Sequence, residues 1–328
     1  MNSTDDLSAF PILGPRSRGQ RQQHQVPLPY PALADDTWTV TSLTGSEPGP
    51  TIFINAGVHG AEYPAIQTII ELGGLLDPAR LRGTVVLMPV VNLPGFRQRS
   101  MFVCPVDGKN PNRMFPGTPD GSYSQQLAHA LMTHFITQAG AHIDLHGGDM
   151  VEALIPFSIC QAGESSAAQT SFELATGFGL PYLLVVDRPI QPASGTTTCA
   201  AAAAAGIPSF IAEAGGIGLL EPEPVRLLRD GVLRVLGQLG MIDDAPTPAP
   251  EPVVLSSFKW LYTPVEGLFY PTVAVGEDVS EGSIVGTVGT LTGEQIAEIT
   301  APVSGKVLFL TTSPAMQENG LLMGIGVG

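Results

Sequence analysis

The sequence predicts an α/β domain followed by a small all-β module. Three observations carry this. Residues 51–91 read strand, helix, strand, the pattern of an α/β domain. Residues 243–252, Asp-Asp-Ala-Pro-Thr-Pro-Ala-Pro-Glu-Pro, have the composition of a linker. Beyond them the texture changes: short strands are separated by glycines at 267, 276, 282, 286, 289, 293 and 305, with no long helix. The expected division is 1–244, with an extended N-terminal segment at 1–34, and 253–328.

With 328 residues the chain can bury a sizeable core in more than one domain. Hydrophobic residues make up 44% and charged residues 14%, which fits a folded chain and not a disordered one. The net charge of −15, with lysine only at 109, 259 and 306, argues against a nucleic-acid partner. An anionic substrate would need local arginines. The three cysteines, Cys104, Cys160 and Cys199, show no paired spacing and read as reduced thiols. Met1-Asn-Ser-Thr-Asp-Asp-Leu7 has neither a basic region nor an apolar run, so no signal peptide is expected. The run of small apolar residues at 200–205 is too short to span a bilayer. The expectation is a cytoplasmic protein with no membrane contact; a homo-oligomer is compatible with it.

Taken in order, residues 38–43 alternate as a strand, 45–50 form a turn, and 51–55 form the next strand. Residues 63–76 carry Ile66, Ile69, Ile70 and Leu72 at helical spacing. The unbroken apolar run at 84–91 fits a strand covered on both faces. Residues 92–118, rich in Pro, Gly, Arg and Asn, read as a long functional loop. Residues 122–138 form a helix, and its His129 and His134 read as structural. Strands follow at 141–145, 152–159, 182–186 and 207–212, with helices at 171–178, 198–205 and 219–239.

Chemistry gathers at strand ends. The run at 51–55 breaks at Gly57, and His59 and Glu62 follow on a turn into a helix. His146 ends the strand at 141–145, and glycines follow it. Imidazole nitrogens and a carboxylate suit Zn²⁺, and three protein ligands leave one position open. Water at such a position loses a proton near neutral pH and can attack a carbonyl. Glu213 ends a third strand before Ala-Gly-Gly and is the candidate base, passing the proton to a leaving nitrogen. Asn112 and Arg113 suit a substrate carboxylate, which a guanidinium grips with two parallel hydrogen bonds. Asp144 shares a face with His146 and His142 and could support the metal ligand from behind. His142, one strand repeat deeper, reads as a non-ligand. The parts together describe metal-assisted hydrolysis of an amide that bears a carboxylate.

Gly57-Val-His-Gly-Ala-Glu62, Asn112-Arg-Met-Phe-Pro-Gly117, Asp144-Leu-His146 and Glu213-Ala-Gly215 resemble the succinylglutamate desuccinylase/aspartoacylase family of the zinc carboxypeptidase-like superfamily. The resemblance spans nearly the whole chain. It implies a three-layer α/β/α zinc-carboxypeptidase-like domain with a mixed sheet, and a C-terminal barrel-sandwich-like module. It implies one Zn²⁺ per chain on His59, Glu62 and His146, Glu213 as general base, and Asn112 and Arg113 on the substrate carboxylate. The implied reaction is release of a carboxylic acid from a small N-acyl amino acid. The loop Gly108-Lys-Asn-Pro-Asn-Arg113 looks closer to the bacterial deacylase branch of ectoine breakdown. Some members carry a further arginine just before the Asn-Arg pair. Here that stretch is Cys104-Pro-Val-Asp-Gly-Lys-Asn-Pro111, so Arg99, Arg97 or Lys109 would have to stand in, and Arg99 is taken as a substrate-binding candidate.

Two other readings stay open. One is a metallocarboxypeptidase acting on small peptides. The other is a non-catalytic carrier or binding protein, because the module resembles biotinyl/lipoyl-like folds. Carriers need a lysine at a hairpin tip, commonly flanked by Met or Asp, and Val303-Ser-Gly-Lys-Val307 lacks those flanks.

Overall fold

The structure, a computed structural model, describes residues 7–187 and 195–328. The N-terminal stretch considered above for a signal peptide lies, apart from Leu7, outside the described residues.

The first half of the chain forms β1 (Gln20–Pro27), β2 (Thr37–Thr44), β3 (Glu47–Ala56), α1 (Tyr63–Leu75), β4 (Arg82–Met88), α2 (Leu93–Gln98), α3 (Tyr123–His134) and β5 (Ala141–His146). There follow β6 (Glu152–Leu154), β7 (Phe157–Gln161), α4 (Ser166–Phe178), β8 (Tyr182–Val186), α5 (Thr198–Ala204), β9 (Ser209–Glu213), α6 (Pro222–Gln238) and β10 (Val253–Leu255). Nine of these strands make one mixed sheet, ordered β1-β2-β4-β3-β5-β9-β7-β8-β10. Its centre, β4-β3-β5-β9, is parallel, and β7 runs against β9.

Strand alternation divides the core into two faces. Ile52 and Ile54 point one way, into a cluster with Ile69 and Leu72 of α1, Leu174 of α4 and Leu228 of α6. Phe53 points the other way, into a cluster with Leu127 and Leu131 of α3 and Ala202 of α5. Helices thus cover both faces, the three-layer α/β/α arrangement. On the second face Phe53 lies 5.0 Å from Phe135, and Trp38 lies 5.7 Å from the same ring.

Several elements differ from expectation. The segment at 1–34 is more than an extended lead: residues 20–27 are the edge strand β1. Their sequence, Gln-Arg-Gln-Gln-His-Gln-Val-Pro, is polar because most of it is partly or fully exposed. The expected turn at 45–50 is shorter, since β3 already begins at Glu47. The loop at 92–118 contains α2, which Asn92 caps by accepting from the Gly95 N–H. The single strand expected at 152–159 is two strands in two sheets. β6 pairs with the C-terminal module and β7 joins the main sheet.

The module comprises β11 (Ser257–Tyr262), β12 (Gly267–Pro271), β13 (Asp278–Val279), β14 (Ile284–Gly289), β15 (Gln295–Thr300), β16 (Gly305–Thr311), β17 (Ala315–Met316) and β18 (Leu321–Val327). These form two antiparallel sheets, β11-β18-β16-β13 and β15-β14-β12-β17, around their own core of Val285, Val288, Val307 and Ile325. β10, which opens the segment 253–328, belongs to the main sheet, pairing with β8. Lys306 lies within β16, its Nζ 2.8 Å from Asp278. Lys259 lies mid-strand in β11. Neither occupies a hairpin tip, which disfavours the carrier reading. No helix among the described residues is long and apolar enough to cross a membrane.

Candidate metal centre and active site

Three adjacent strands deliver the site at their carboxyl ends, the usual location for ligands in open α/β sheets. β3 leads to His59 and Glu62, β5 ends on His146, and β9 ends on Glu213, which is His146's register partner. The chain leaves β3 at Gly57, with φ +66°, where an added Cβ would lie 2.9 Å from the Val90 backbone. Only glycine makes this turn without strain. Glu62 sits at the N-cap of α1 but makes no side-chain cap bond there. Its carboxylate faces the two histidines instead.

The two imidazoles are held in the same way. His59 Nδ1 lies 2.7 Å from Glu62 Oε1, and His146 Nδ1 lies 2.8 Å from Glu62 Oε2. His59 Nε2 meets Asn110 Oδ1 at 3.0 Å, and His146 Nε2 meets Asp144 Oδ2 at 2.9 Å. Both Nε2 atoms therefore donate, which leaves the Nδ1 lone pairs turned on carboxylate oxygens. Lone pairs this close require a proton or a cation between them. The ligand atoms of all three residues lie within 4.8 Å of one another. Two nitrogens and a carboxylate oxygen, with oriented rings, could hold a divalent metal ion.

The support behind the site is fully buried. Asp144 accepts from Asn55 Nδ2 at 2.6 Å and from the Thr198 hydroxyl at 2.5 Å. His142 is hydrogen-bonded to Asn55 Oδ1 at 2.7 Å and Ser209 Oγ at 2.8 Å, so it belongs to the frame and not to the ligand set. Burial pushes its pKa down to about 4. Burial alone would raise Glu62, but His146 and His59 outweigh it and hold the carboxyl down to about 2. Glu213 moves the other way. Burial, aided by the like charges of Glu62, Glu152 and Asp144, raises it well above the usual carboxylate range against the pull of His146.

A cleft of about 470 Å³ opens over these residues, walled by the main sheet and the module. Asn112 and Arg113 line it from a 3₁₀ turn, Pro111–Arg113. Asn112 Oδ1 accepts from the first N–H of α5, at Thr198, at 2.9 Å. The Arg113 guanidinium donates to the Asn112 carbonyl at 2.7 Å. Burial lowers the basicity of Arg113, and the charge of Glu213 opposes this. Burial raises the pKa of Tyr262 against the opposing charge of Arg113, so the module's phenol stands near the guanidinium.

Of the residues expected at the site, the structure brings together His59, Glu62, His146, Glu213, Asn112 and Arg113. Arg99 is not among them. It is exposed at the C-cap of α2, with φ +51°, and is not one of the cleft-lining residues. Its two possible substitutes are also engaged elsewhere. Arg97 reaches Asp36 at 3.5 Å, and Lys109 Nζ reaches Ser122 Oγ at 3.0 Å at the start of α3. The long loop turns its 3₁₀ end and Phe102 toward the cleft.

A sequence model of the succinylglutamate desuccinylase/aspartoacylase catalytic domain matches residues 48–239. The chain belongs to the succinylglutamate desuccinylase/aspartoacylase family. One relative is the N-alpha-acetyl-L-2,4-diaminobutyric acid deacetylase of Halomonas elongata, 27% identical over 256 residues, covering 76% of this chain and 74% of that protein. Among solved structures, a succinylglutamate desuccinylase/aspartoacylase from Rhodobacter sphaeroides has a TM-score of 0.83 at 27% identity, covering 94% of this chain and 96% of that one. The product-bound ectoine utilization protein EutE (DoeB) of Ruegeria pomeroyi has a TM-score of 0.84 at 22% identity, with 96% and 97% covered, a likeness of fold.

Within this succinylglutamate desuccinylase/aspartoacylase frame, several cleft and support residues escaped the sequence reading, Asn110, Asn55, Glu152 and Tyr262 among them. Asn110 orients His59, and its signal was its place beside the Asn-Arg pair. Asn55 braces Asp144; a polar residue closing an apolar run was the available hint. Glu152 lines the cleft, its carboxyl raised to about 7 by burial, but its local sequence looks like any strand start. Tyr262 reaches the cleft only because the module folds back over the sheet.

Proposed function

We infer that this chain is a zinc-dependent amide hydrolase that releases a carboxylic acid from a small N-acyl amino acid, using one Zn²⁺ per chain. The observation that carries this reading is the pair of Nδ1 atoms turned on the two oxygens of Glu62, with Glu213 at the end of the next strand. Descent from a family of acyl–amide hydrolases supports it.

His59, Glu62 and His146 would hold the ion, which when bound supplies Lewis acidity that polarises a carbonyl and acidifies water. The chain's own residues do the rest. Arg113, held by the Asn112 carbonyl, grips the carboxylate of the amino-acid portion. Asn112 is fixed by α5 and completes that end of the cleft. Glu213 takes one proton from the attacking water on a carboxylate oxygen as the C–O bond forms. It returns that proton to the departing nitrogen as the C–N bond breaks, so that amide plus water gives acid plus amine. Burial raises its pKa above the usual carboxylate range, the direction that strengthens it as a proton acceptor. Arg99 has no role in this scheme. The diaminobutyrate relative makes an N-acetyl amino acid one candidate substrate, and the proposed location is the cytoplasm.

A panel of N-acetyl, N-succinyl and N-formyl amino acids with a dipeptide control tests the reading, using zinc-loaded wild type beside Glu213→Gln. The expected outcome is turnover of an N-acyl amino acid and not of the dipeptide. In Glu213→Gln, kcat should fall by roughly 10²–10⁴ with metal still bound. Undiminished turnover in Glu213→Gln would remove it as the base.

A further inference from the structure

The cleft has two poles of opposite character, and Glu213 stands between them. At the polar pole stand Arg113, Asn112 and the His59–Glu62–His146 group. The other pole is built on one face of the main sheet. Glu213 and Phe157 are cross-strand partners on β9 and β7, and two residues deeper on the same face Ile211 faces Ile159. Leu184 of β8 pairs with Ile159 from the far side. Phe157, Ile159, Leu184 and Ile211 all line the cleft, though none exceeds 8% exposure. The module supplies the opposing wall. Along β11, Tyr262, Trp260 and Phe258 share a face and run from the neighbourhood of Arg113 toward this apolar end. Phe258 and Trp260 pack edge to face at 4.7 Å.

An apolar compartment of this kind is not needed to seat an acetyl group. A strand rises about 3.4 Å per residue, so the Ile159–Ile211 row lies roughly 7 Å beyond the Glu213–Phe157 row, the reach of a few methylenes. A linear N-acyl amino acid places its carboxylate at one end and its acyl chain at the other. With the carboxylate on Arg113, the acyl chain runs past Glu213 into the apolar pole.

We propose that the compartment between the β7–β8–β9 face and β11 selects an apolar acyl chain of about six carbons on the N-acyl amino acid, making Ile159, Ile211, Leu184 and Trp260 specificity-determining residues. This rests on the deacylase reading above and names the acyl class for it. Each methylene taken from water into such a site contributes about a four-fold preference.

The test compares kcat/KM for the N-acetyl, N-butyryl and N-hexanoyl derivatives of one amino acid on the zinc-loaded full chain. The expected result is a rise on the order of 100-fold from acetyl to hexanoyl. Ile159→Phe fills the floor and should shift the optimum to a shorter chain, whatever it does to the overall rate. A flat or falling series, or an unmoved optimum in Ile159→Phe, overturns the proposal. So does a preference that follows the amino-acid side chain across an N-acetyl series while acyl length has no effect. A binding measurement separates this proposal from the reading beneath it. Trp260 lines the cleft, whereas Trp38 is fully buried elsewhere, so ligand-dependent emission reports on Trp260. If no N-acyl amino acid is hydrolysed, the deacylase reading fails. The compartment is then judged by fluorescence alone: a response to hexanoate at lower concentration than to acetate supports it, and equal responses overturn it.

Discussion

At the residue scale, the proposed metal site has its imidazole rings oriented by neighbouring side chains. Asn110 does this for His59, and Asp144 does it for His146. Such supporting bonds typically carry a 10- to 100-fold effect on metal affinity. Asn110→Ala should therefore weaken zinc binding by about 10-fold or more while the fold stays intact, measured by competition with a chromophoric chelator. An unchanged affinity would show that the His59 ring is held by other means. The histidine one strand repeat deeper makes a separate prediction. His142 has a folded pKa of about 4 against 6.5 when free. Its neutral form is favoured in the folded state, so the stability it confers is complete above pH 6.5 and is lost as pH falls from 6.5 toward 4. Urea unfolding of wild type at pH 7 and 5 should show a loss of about 2 kcal/mol from this group. His142→Gln should show a correspondingly shallower pH dependence. His59, His146, Glu213 and the Asn112-Arg113 pair were legible as candidates because each is a polar residue beside an abrupt glycine or inside a short motif. Glu152 and Tyr262 were not. Their place in the cleft comes from what tertiary packing brings near them, and nothing in their own neighbours records that.

At the scale of elements, apolar runs and helical spacing located the central strands and α1, because a buried parallel strand can hardly be polar. The same rule explains the failures. β1 sits at the sheet edge with mostly exposed side chains, so Gln and Arg replace the apolar signature. The stretch at 152–159 is mostly apolar between Glu152 and Ser158, but Pro156 lacks an N–H and interrupts the ladder. The chain uses that break to send β6 to the module and β7 to the main sheet. The turn after β3 is the element most tightly specified by one residue. Gly57 holds φ +66° against the Val90 backbone. Gly57→Ala should cost about 1–3 kcal/mol in thermal or urea unfolding and displace His59, lowering zinc affinity as well. Wild-type stability and affinity in that variant would show that the turn relaxes without consequence.

At the scale of the whole molecule, the all-β module is part of the cleft and not an appendage. β10 joins the main sheet, β6 joins the module's sheet, and Trp260 and Tyr262 close the wall opposite β7 and β9. Linker composition marked where the chain changes character. It could not show that the two parts exchange strands, because each exchanged strand is only three residues long. Against a net charge of −15, the partly buried Arg113 is the guanidinium that lines the cleft, beside Glu213. The most direct test of the account is metal stoichiometry by equilibrium dialysis against zinc, read by elemental analysis. Wild type and Glu213→Gln should each retain one zinc per chain, and His146→Ala should retain none under the same conditions. A wild-type chain that keeps no zinc, or a His146→Ala chain that keeps as much, would contradict it.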